Sequence, residues 1–363
     1  MTVHIVLLGL IMLTGCVTYA VLKPSQKVNK RYIAFSLFLV FIVQSLRASS
    51  VGSDTLAYVK SFYLIDRQGF DWRTSAWEPC YLWLNMLVGK FTDNPQYLLA
   101  VCSAIILYGI GLFIYKNMDH TKSAFWPIFF FMVFTHYLNS MNLLRQYLAM
   151  AFVLQIFWLL RDVEGKKRFV ISAILVIIGV SFHKTAILSV AFFIPYLLKS
   201  IKRKTIVGIG GGIVGLTALF NYILPYVFVL FPLYVKYENS SRIEGDEGFG
   251  VYYIVYIMFK LALIIFVFML PPDEERNNYA YKLSFINIIS TGFLILKTKV
   301  SLAMRAGYYF DIFMVLLIPE IVSRLGNKKI IVYFLLIIYG VFCFMHTLDS
   351  VERGCVPYLF FWQ

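Results

Sequence analysis

The stretch Gln96-Tyr-Leu-Leu-Ala-Val-Cys-Ser-Ala-Ile-Ile-Leu-Tyr-Gly-Ile-Gly-Leu-Phe-Ile-Tyr115 carries no charged side chain and is bounded by Asp93-Asn94-Pro95 on one side and Lys116 on the other. A helix needs about 20 mostly apolar residues to cross the hydrocarbon core of a bilayer. This run has that length, so it reads as a membrane-crossing helix. Apolar runs of the same kind recur near 3–22, 32–46, 123–138, 143–160, 169–182, 185–198, 205–222, 251–270, 283–296, 307–322 and 330–344. The expectation is an all-α, polytopic integral membrane protein with about twelve transmembrane helices, forming one transmembrane domain over residues 1–363.

Composition points the same way. Hydrophobic residues make up 60% of the chain and charged residues 14%, against about 25% charged in an ordinary soluble domain. The net charge of +14 does not call for nucleic acid. Its Lys and Arg sit in short clusters at 23–31, 161–168, 199–204 and 324–329, where cytoplasmic flanks of spans carry them. With those loops inside, segments 47–78, 139–142, 183–184, 236–250 and 297–305 fall outside. The first is expected to be an outer-face loop containing an amphipathic helix, and 236–250 a second outer-face loop. The apolar run near 80–91 is too short to cross, so a re-entrant or interfacial helix is expected there. Pro225 and Pro232 suggest a bent piece over 224–234.

Smaller features yield little chemistry. The five cysteines show no metal-ligand spacing, and only Cys80 and Cys355 share the expected outer face, where a bridge could form. Leu13-Thr14-Gly15-Cys16 resembles a lipoprotein box but lies inside a continuing apolar run, which favours a plain first span. The glycines between Gly208 and Gly215 suit close helix packing better than a phosphate cradle, because no Gly-Lys-Ser/Thr follows.

Polar residues at the outer boundary are the functional candidates, since charge at membrane depth is costly. Gly52 suits a turn ahead of Asp54-Thr55, either of which could cap a helix carrying Tyr58, Phe62 and Tyr63. Glu78 precedes Pro79 at the mouth of the short run. Asn142, Arg145 and Gln146 share nearby helical faces. His183-Lys184 occupies a hairpin tip, and Lys297, Lys299 and Arg305 put positive charge on the outside. Each has a plain alternative: Asp54 as a cap, Arg145 snorkelling to headgroups, His183 as a turn residue. There is no His/Cys/Asp metal constellation, nucleophile elbow, Walker loop or dinucleotide fingerprint. What remains suits a phosphorylated sugar lipid: guanidinium forks for phosphate, aromatic faces for sugar rings, and a carboxylate or imidazole for a hydroxyl proton.

Arg47 ahead of Val51-Gly52-Ser53-Asp54-Thr55 with Tyr58, then Glu78-Pro79-Cys80-Tyr81, Leu144-Arg145-Gln146-Tyr147-Leu148-Ala149, Phe182-His183-Lys184-Thr185-Ala186, Arg305 with Tyr309, and Val356-Pro357-Tyr358 together resemble the EpsG family of Wzy-type polysaccharide polymerases. Ser53 stands where Thr is commoner and Cys80 where Gly is usual. The resemblance implies a glycosyltransferase without cofactor that polymerises undecaprenyl-diphosphate-linked oligosaccharide at the outer face of a bacterial cytoplasmic membrane. It leaves open a polysaccharide chain-length regulator as a partner. On that reading Arg47, Arg145 and Arg305 hold the diphosphate. Glu78 or His183 takes the acceptor proton, with Asp54 supporting the base. Tyr58, Asn142, Gln146, Lys299, Tyr309 and Tyr358 line the substrate. Rival readings are a polyprenyl-phosphate-sugar glycosyltransferase, an O-antigen ligase, a membrane acyltransferase and a lipid-linked oligosaccharide transporter. The transporter should show intramembrane charge pairs and repeated halves, and the sequence displays neither.

Overall fold

A computed structural model describes residues 1–68, 77–198, 201, 203–219, 222, 226, 250–269, 274–297, 300, 303–350 and 353–363. Regular structure among them is helical, with one isolated antiparallel bridge between Arg47 and Phe360. Among the described residues, five helices are long and apolar enough to cross a membrane: Thr2–Val21, Pro95–Asn117, Val251–Phe268, Asn278–Leu296 and a helical stretch over Gly326–Asp349. A sixth is reached if the bent pair His136–Asn142 and Leu144–Asp162 counts as one span. The first, third and fifth bury only 28% of their apolar window, leaving side chains such as Leu13, Val17, Met258 and Phe334 more than half exposed. Apolar surface on this scale needs a lipid solvent.

Contacts divide the chain into two compact units, Met1–Phe193 with Ile330–Gln363, and Ile194–Lys329. The first holds α1 (Thr2–Val21), α2 (Gln26–Ser45), α3 (Thr55–Gln68), α4 (Pro79–Gly89), α5 (Pro95–Asn117), α6 (Phe125–Val133), α7 (His136–Asn142), α8 (Leu144–Val153), α9 (Ile156–Asp162) and α10 (Lys167–Phe182). A 3₁₀ helix over Lys184–Phe193 follows α10. Local chemistry sets the starts. Ser25 caps α2 by accepting from the Val28 N–H, and Asn94 caps α5 by accepting from Gln96 N–H at 2.9 Å, with Pro95 preset in the first turn. Close approach needs glycine at the centre, where a Cβ on Gly109 would sit 2.5 Å from that of Ala151 and so lets α5 lie against α8.

Two of the apolar runs are broken rather than straight. The run at 123–138 splits into α6 and α7 at Thr135, whose φ of 69° is left-handed, and α7 then bends by 118° into α8 and α9. All seven α7 residues are buried, so the expected outer loop at 139–142 is a helix packed within the protein. Asn139, Ser140 and Asn142 make this tolerable by pairing with other polar groups: Gln44 Nε2 donates to Ser140 Oγ at 2.7 Å. The amphipathic helix expected within 47–78 is α3, with Tyr58 and Phe62 buried and Tyr63 exposed. At about 1.5 Å per residue, the 11-residue α4 reaches roughly half the hydrocarbon thickness.

The second unit contains α11 (Ile194–Leu197), α12 (Arg203–Ala218), α13 (Val251–Phe268), α14 (Glu274–Leu296), α15 (Ala303–Asp311) and α16 (Met314–Val322). Its glycine run contributes less packing than the sequence suggests. Only Gly210 lies under a neighbour, Ile288, whereas a Cβ on Gly208, Gly211, Gly212 or Gly215 would meet open space. The long helix α17 (Lys329–Asp349) returns the chain to the first unit, where Tyr333 stacks on Trp126 with ring centroids 3.6 Å apart. The expected bent piece at 224–234, described only at Tyr226, and the second loop at 236–250, described only at Gly250, lie outside the described residues. All five cysteines are free, including Cys80 and Cys355.

Candidate active site

Pro79 at the first position of α4 leaves Glu78 as an extended N-cap residue whose side chain caps nothing. Its carboxylate is therefore available to other elements. α10 packs on both α4 and α8 and stops at Phe182, so that His183, in extended backbone, meets Glu78 from one side. Arg145, in the first turn of α8, meets it from the other. Glu78 Oε2 accepts from Arg145 Nη1, while Oε1 accepts from His183 Nδ1 at 3.2 Å and from the Lys184 backbone N–H at 3.3 Å. The carboxylate side chain is 6% exposed, against 22% for Arg145 and 24% for His183. A buried anion thus supports two partners that both reach solvent.

Burial alone would raise the Glu78 pKa, but the His183 hydrogen bond and the charges of Arg145 and His183 outweigh it and hold the group at about 2. Glu78 is accordingly ionised across the physiological range. Its acceptance from Nδ1 fixes the neutral imidazole with the proton on Nδ1 and the lone pair on Nε2. The Arg145 guanidinium lies 4.3 Å from the Trp77 ring centroid, which holds its plane, and its Nε is buried without an acceptor. Trp77 belongs to an aromatic cluster with Tyr58 and Tyr81, at 5.9 and 5.5 Å between centroids.

Asp54 is held through its backbone. Gly52 has φ 97° and a Cβ there would stand 2.6 Å from Thr55 Oγ1, so the tight turn requires glycine. Asn142 Oδ1 accepts from Asp54 N–H at 2.8 Å, and its Nδ2 donates to Ser53 Oγ at 3.0 Å. The Thr55 hydroxyl donates back to the Val51 carbonyl at 2.7 Å. Asn142 thereby couples the 52–54 turn to the end of α7, one bend before Arg145.

Other nominated residues are placed elsewhere. Arg47 is wholly buried, donating from Nη1 to the Gln44 carbonyl and from Nη2 to the Met141 carbonyl at 2.9 Å. These bonds tie α2 to α7 and leave no exposed guanidinium for a phosphate. Tyr358 is also buried and donates to the Val43 carbonyl at 2.7 Å. Gln146 is buried beside Arg145 on α8. Arg305 and Tyr309 belong to the second unit, where Arg305 is exposed on α15 and Tyr309 is completely buried. Lys299 lies outside the described residues.

The second unit also corrects one expectation. An intramembrane charge pair does exist: Lys260, in the middle of α13, is fully buried and bonded to Asp311 of α15, with Ser290 Oγ at 2.8 Å from Lys260 Nζ and Tyr256 donating to Asp311 at 3.0 Å. A lysine centred in the 251–270 run was the available signal, obscured because the surrounding residues are so apolar.

The EpsG family model matches residues 30–360 of this chain. The chain belongs to the EpsG family. No curated protein and no solved structure matches it significantly. Membership supports a polysaccharide-polymerase type of function, glycosyltransferase-like, and with the apolar helices a multi-pass membrane protein. In this EpsG-family chain sequence reasoning overlooked Trp77, Asn139 and Arg353. Arg353 Nε donates to Asn139 Oδ1 at 3.1 Å, and its carbonyl accepts from Ser53 N–H at 3.0 Å. Trp77 stood next to Glu78 in the sequence, whereas nothing near Arg353 foretold its partner 214 positions away. Chemically, the EpsG arrangement offers an imidazole oriented by a carboxylate and an arginine with unspent hydrogen-bond capacity.

Proposed function

We propose that this EpsG-family protein joins undecaprenyl-diphosphate-linked oligosaccharide repeat units into a surface polysaccharide at the outer face of a bacterial cytoplasmic membrane. The observation that carries this reading is the meeting of Arg145, Glu78 and His183 through one carboxylate. A hydroxyl on one repeat unit attacks the anomeric carbon of the sugar at the reducing end of the growing chain. The new C–O bond forms as the bond from that carbon to diphosphate breaks, and the electron pair leaves on the diphosphate oxygen. His183 Nε2 takes the hydroxyl proton. Glu78 is the weaker base because its pKa of about 2 leaves little driving force for proton capture near neutrality, and its role is to orient the imidazole. Arg145 meets the developing charge on the leaving diphosphate with its remaining donors. Asp54 and Asn142 shape the adjoining turn, while Trp77, backed by the buried Tyr58 and Tyr81, provides aromatic surface next to the guanidinium. The arrangement of about twelve crossings, with the basic loops inside, belongs to the same reading.

The test is polymer length in cells deleted for the native gene and complemented with variants. Arg145→Ala and His183→Ala are expected to insert in the membrane and leave single repeat units on a glycan gel. A normal ladder from both would end the proposal. Arg305→Ala tests independently the anion-binding role that the sequence gives to that residue. Purified protein supplied with lipid-linked repeat units alone should build a ladder. Transfer of a single sugar from a polyprenyl-phosphate donor would instead identify the monosaccharide-transferring rival.

A further inference from the structure

α2 and α5 lie antiparallel, and side-chain clips mark their two ends. Gln96 Nε2 donates to the carbonyls of Ser45 and Arg47 at one end, and Asn29 Nδ2 donates to those of His120 and Lys122, at 3.3 and 2.9 Å, at the other. Between these clips runs a furrow of about 640 Å³. Its walls include Leu37, Phe38 and Phe41 from α2 and Leu107, Tyr108 and Leu112 from α5. Lys30 and Lys116 line it at the Asn29 end, away from the Arg47 turn and the carboxylate site.

The length of the furrow decides its occupant. From Lys30 to Phe41 a helix advances about 16 Å at roughly 1.5 Å per residue, close to half of a hydrocarbon core of about 30 Å. An apolar channel one leaflet deep, with two lysines at one end, fits a lipid with a phosphate at its head. Of the carboxylates nearby in sequence, Asp119 pairs with Lys122 at 3.8 Å and Asp162 with Arg161 at 2.6 Å. Lys116 Nζ also rests 4.9 Å from the Trp158 ring centroid, which holds the ammonium beside the furrow. Phe38 and Tyr108 are 57% and 74% exposed, so the furrow opens on the lipid that surrounds the helices.

We propose that this furrow binds an anionic glycerophospholipid, with its phosphate on Lys30 and Lys116 and an acyl chain between α2 and α5. The full-length protein, reconstituted in nanodiscs containing equal amounts of phosphatidylglycerol and phosphatidylethanolamine and then released, should retain phosphatidylglycerol in native mass spectra. Preference over phosphatidylethanolamine should be on the order of tenfold. The Lys30→Gln/Lys116→Gln double variant should retain the two lipids equally. Ala104→Trp, at a furrow-lining position, should lose the lipid while eluting as the same monodisperse species. A photoreactive phosphatidylglycerol on the unmodified protein should cross-link to α2 or α5. Equal retention by the unmodified protein, cross-links confined to other helices, or displacement of phosphatidylglycerol by added undecaprenyl phosphate would each overturn the proposal.

Discussion

His183 illustrates how one hydrogen bond assigns chemistry. With Nδ1 donating to Glu78, only Nε2 can accept a proton, so His183→Ala should lower polymerisation by roughly 100- to 10,000-fold, measured as turnover of lipid-linked repeats. Glu78→Gln should also slow turnover, because the amide can donate to Nδ1 and stabilise the wrong tautomer. Equal activity in that variant would deny Glu78 an orienting role. The same carboxylate gives a pH prediction whose sign follows from its lowered pKa. Glu78 moves from an ordinary value of 4.5 down to about 2 on folding, so its stabilisation is complete above about pH 4.5 and disappears as pH falls through about 2. The thermal midpoint difference between the unmodified protein and Glu78→Gln should therefore be constant above pH 5 and shrink below 4.5 in detergent scans. Individual residues were legible in sequence where membrane physics made them expensive, as with Glu78, Arg145 and His183. Their pairing was not, since the partners lie 67 and 105 positions from Glu78. Arg47 looked equally promising, and nothing local distinguishes a guanidinium that ties carbonyls together inside the protein from one that faces a ligand.

Elements were legible by length and apolarity, and illegible where the helix is interrupted. α1, α5, α13 and α17 lie where uninterrupted apolar runs place them. The chain at 123–160 reads as two spans, yet forms α6 to α9, because a left-handed Thr135 and buried amides permit a break that hydropathy does not register. This discontinuity has a use: the bend after α7 puts Asn142 and Arg145 at adjoining helix ends, where backbone is open to side-chain partners. Rigid packing next to the break is expected to matter. Gly109→Ala would drive a methyl group into Ala151 and should cost about 1–3 kcal/mol, seen as a lower thermal midpoint and reduced polymer together. In the second unit, Lys260→Met leaves the Asp311 carboxylate buried without its cation and should cost about 3–5 kcal/mol. Adding Asp311→Leu to Lys260→Met should recover part of that loss. If the double variant is as unstable as Lys260→Met alone, the pair serves something other than holding α13 to α15.

At the scale of the first unit, the last residues of the chain lace the earliest ones together, which no local sequence pattern announces. Ala48 N–H donates to the Leu359 carbonyl at 2.9 Å, Phe361 N–H to that of Leu46 at 2.9 Å, and Gly52 N–H to that of Gly354 at 2.8 Å. His4, completely buried, donates from Nε2 to the Cys355 carbonyl at 3.0 Å while Tyr137 donates to its Nδ1 at 2.8 Å. The segment thus stands where a neighbouring strand would, satisfying backbone groups of the Arg47–Asp54 turn that would otherwise be unpaired. That turn is also the one Asn142 holds from the other side, so the strap and α7 fix it jointly. Deleting 353–363 should leave α1 and α2 in the membrane but free the turn, with faster amide exchange over 46–54 and loss of polymer. Arg353→Ala should do less, because it removes side-chain contacts such as those to Asn139 and Thr347 and keeps the backbone bonds. Should the truncated protein show unchanged exchange at 46–54 and a normal glycan ladder, the strap is dispensable, and the turn owes its geometry to Gly52 and Asn142 alone.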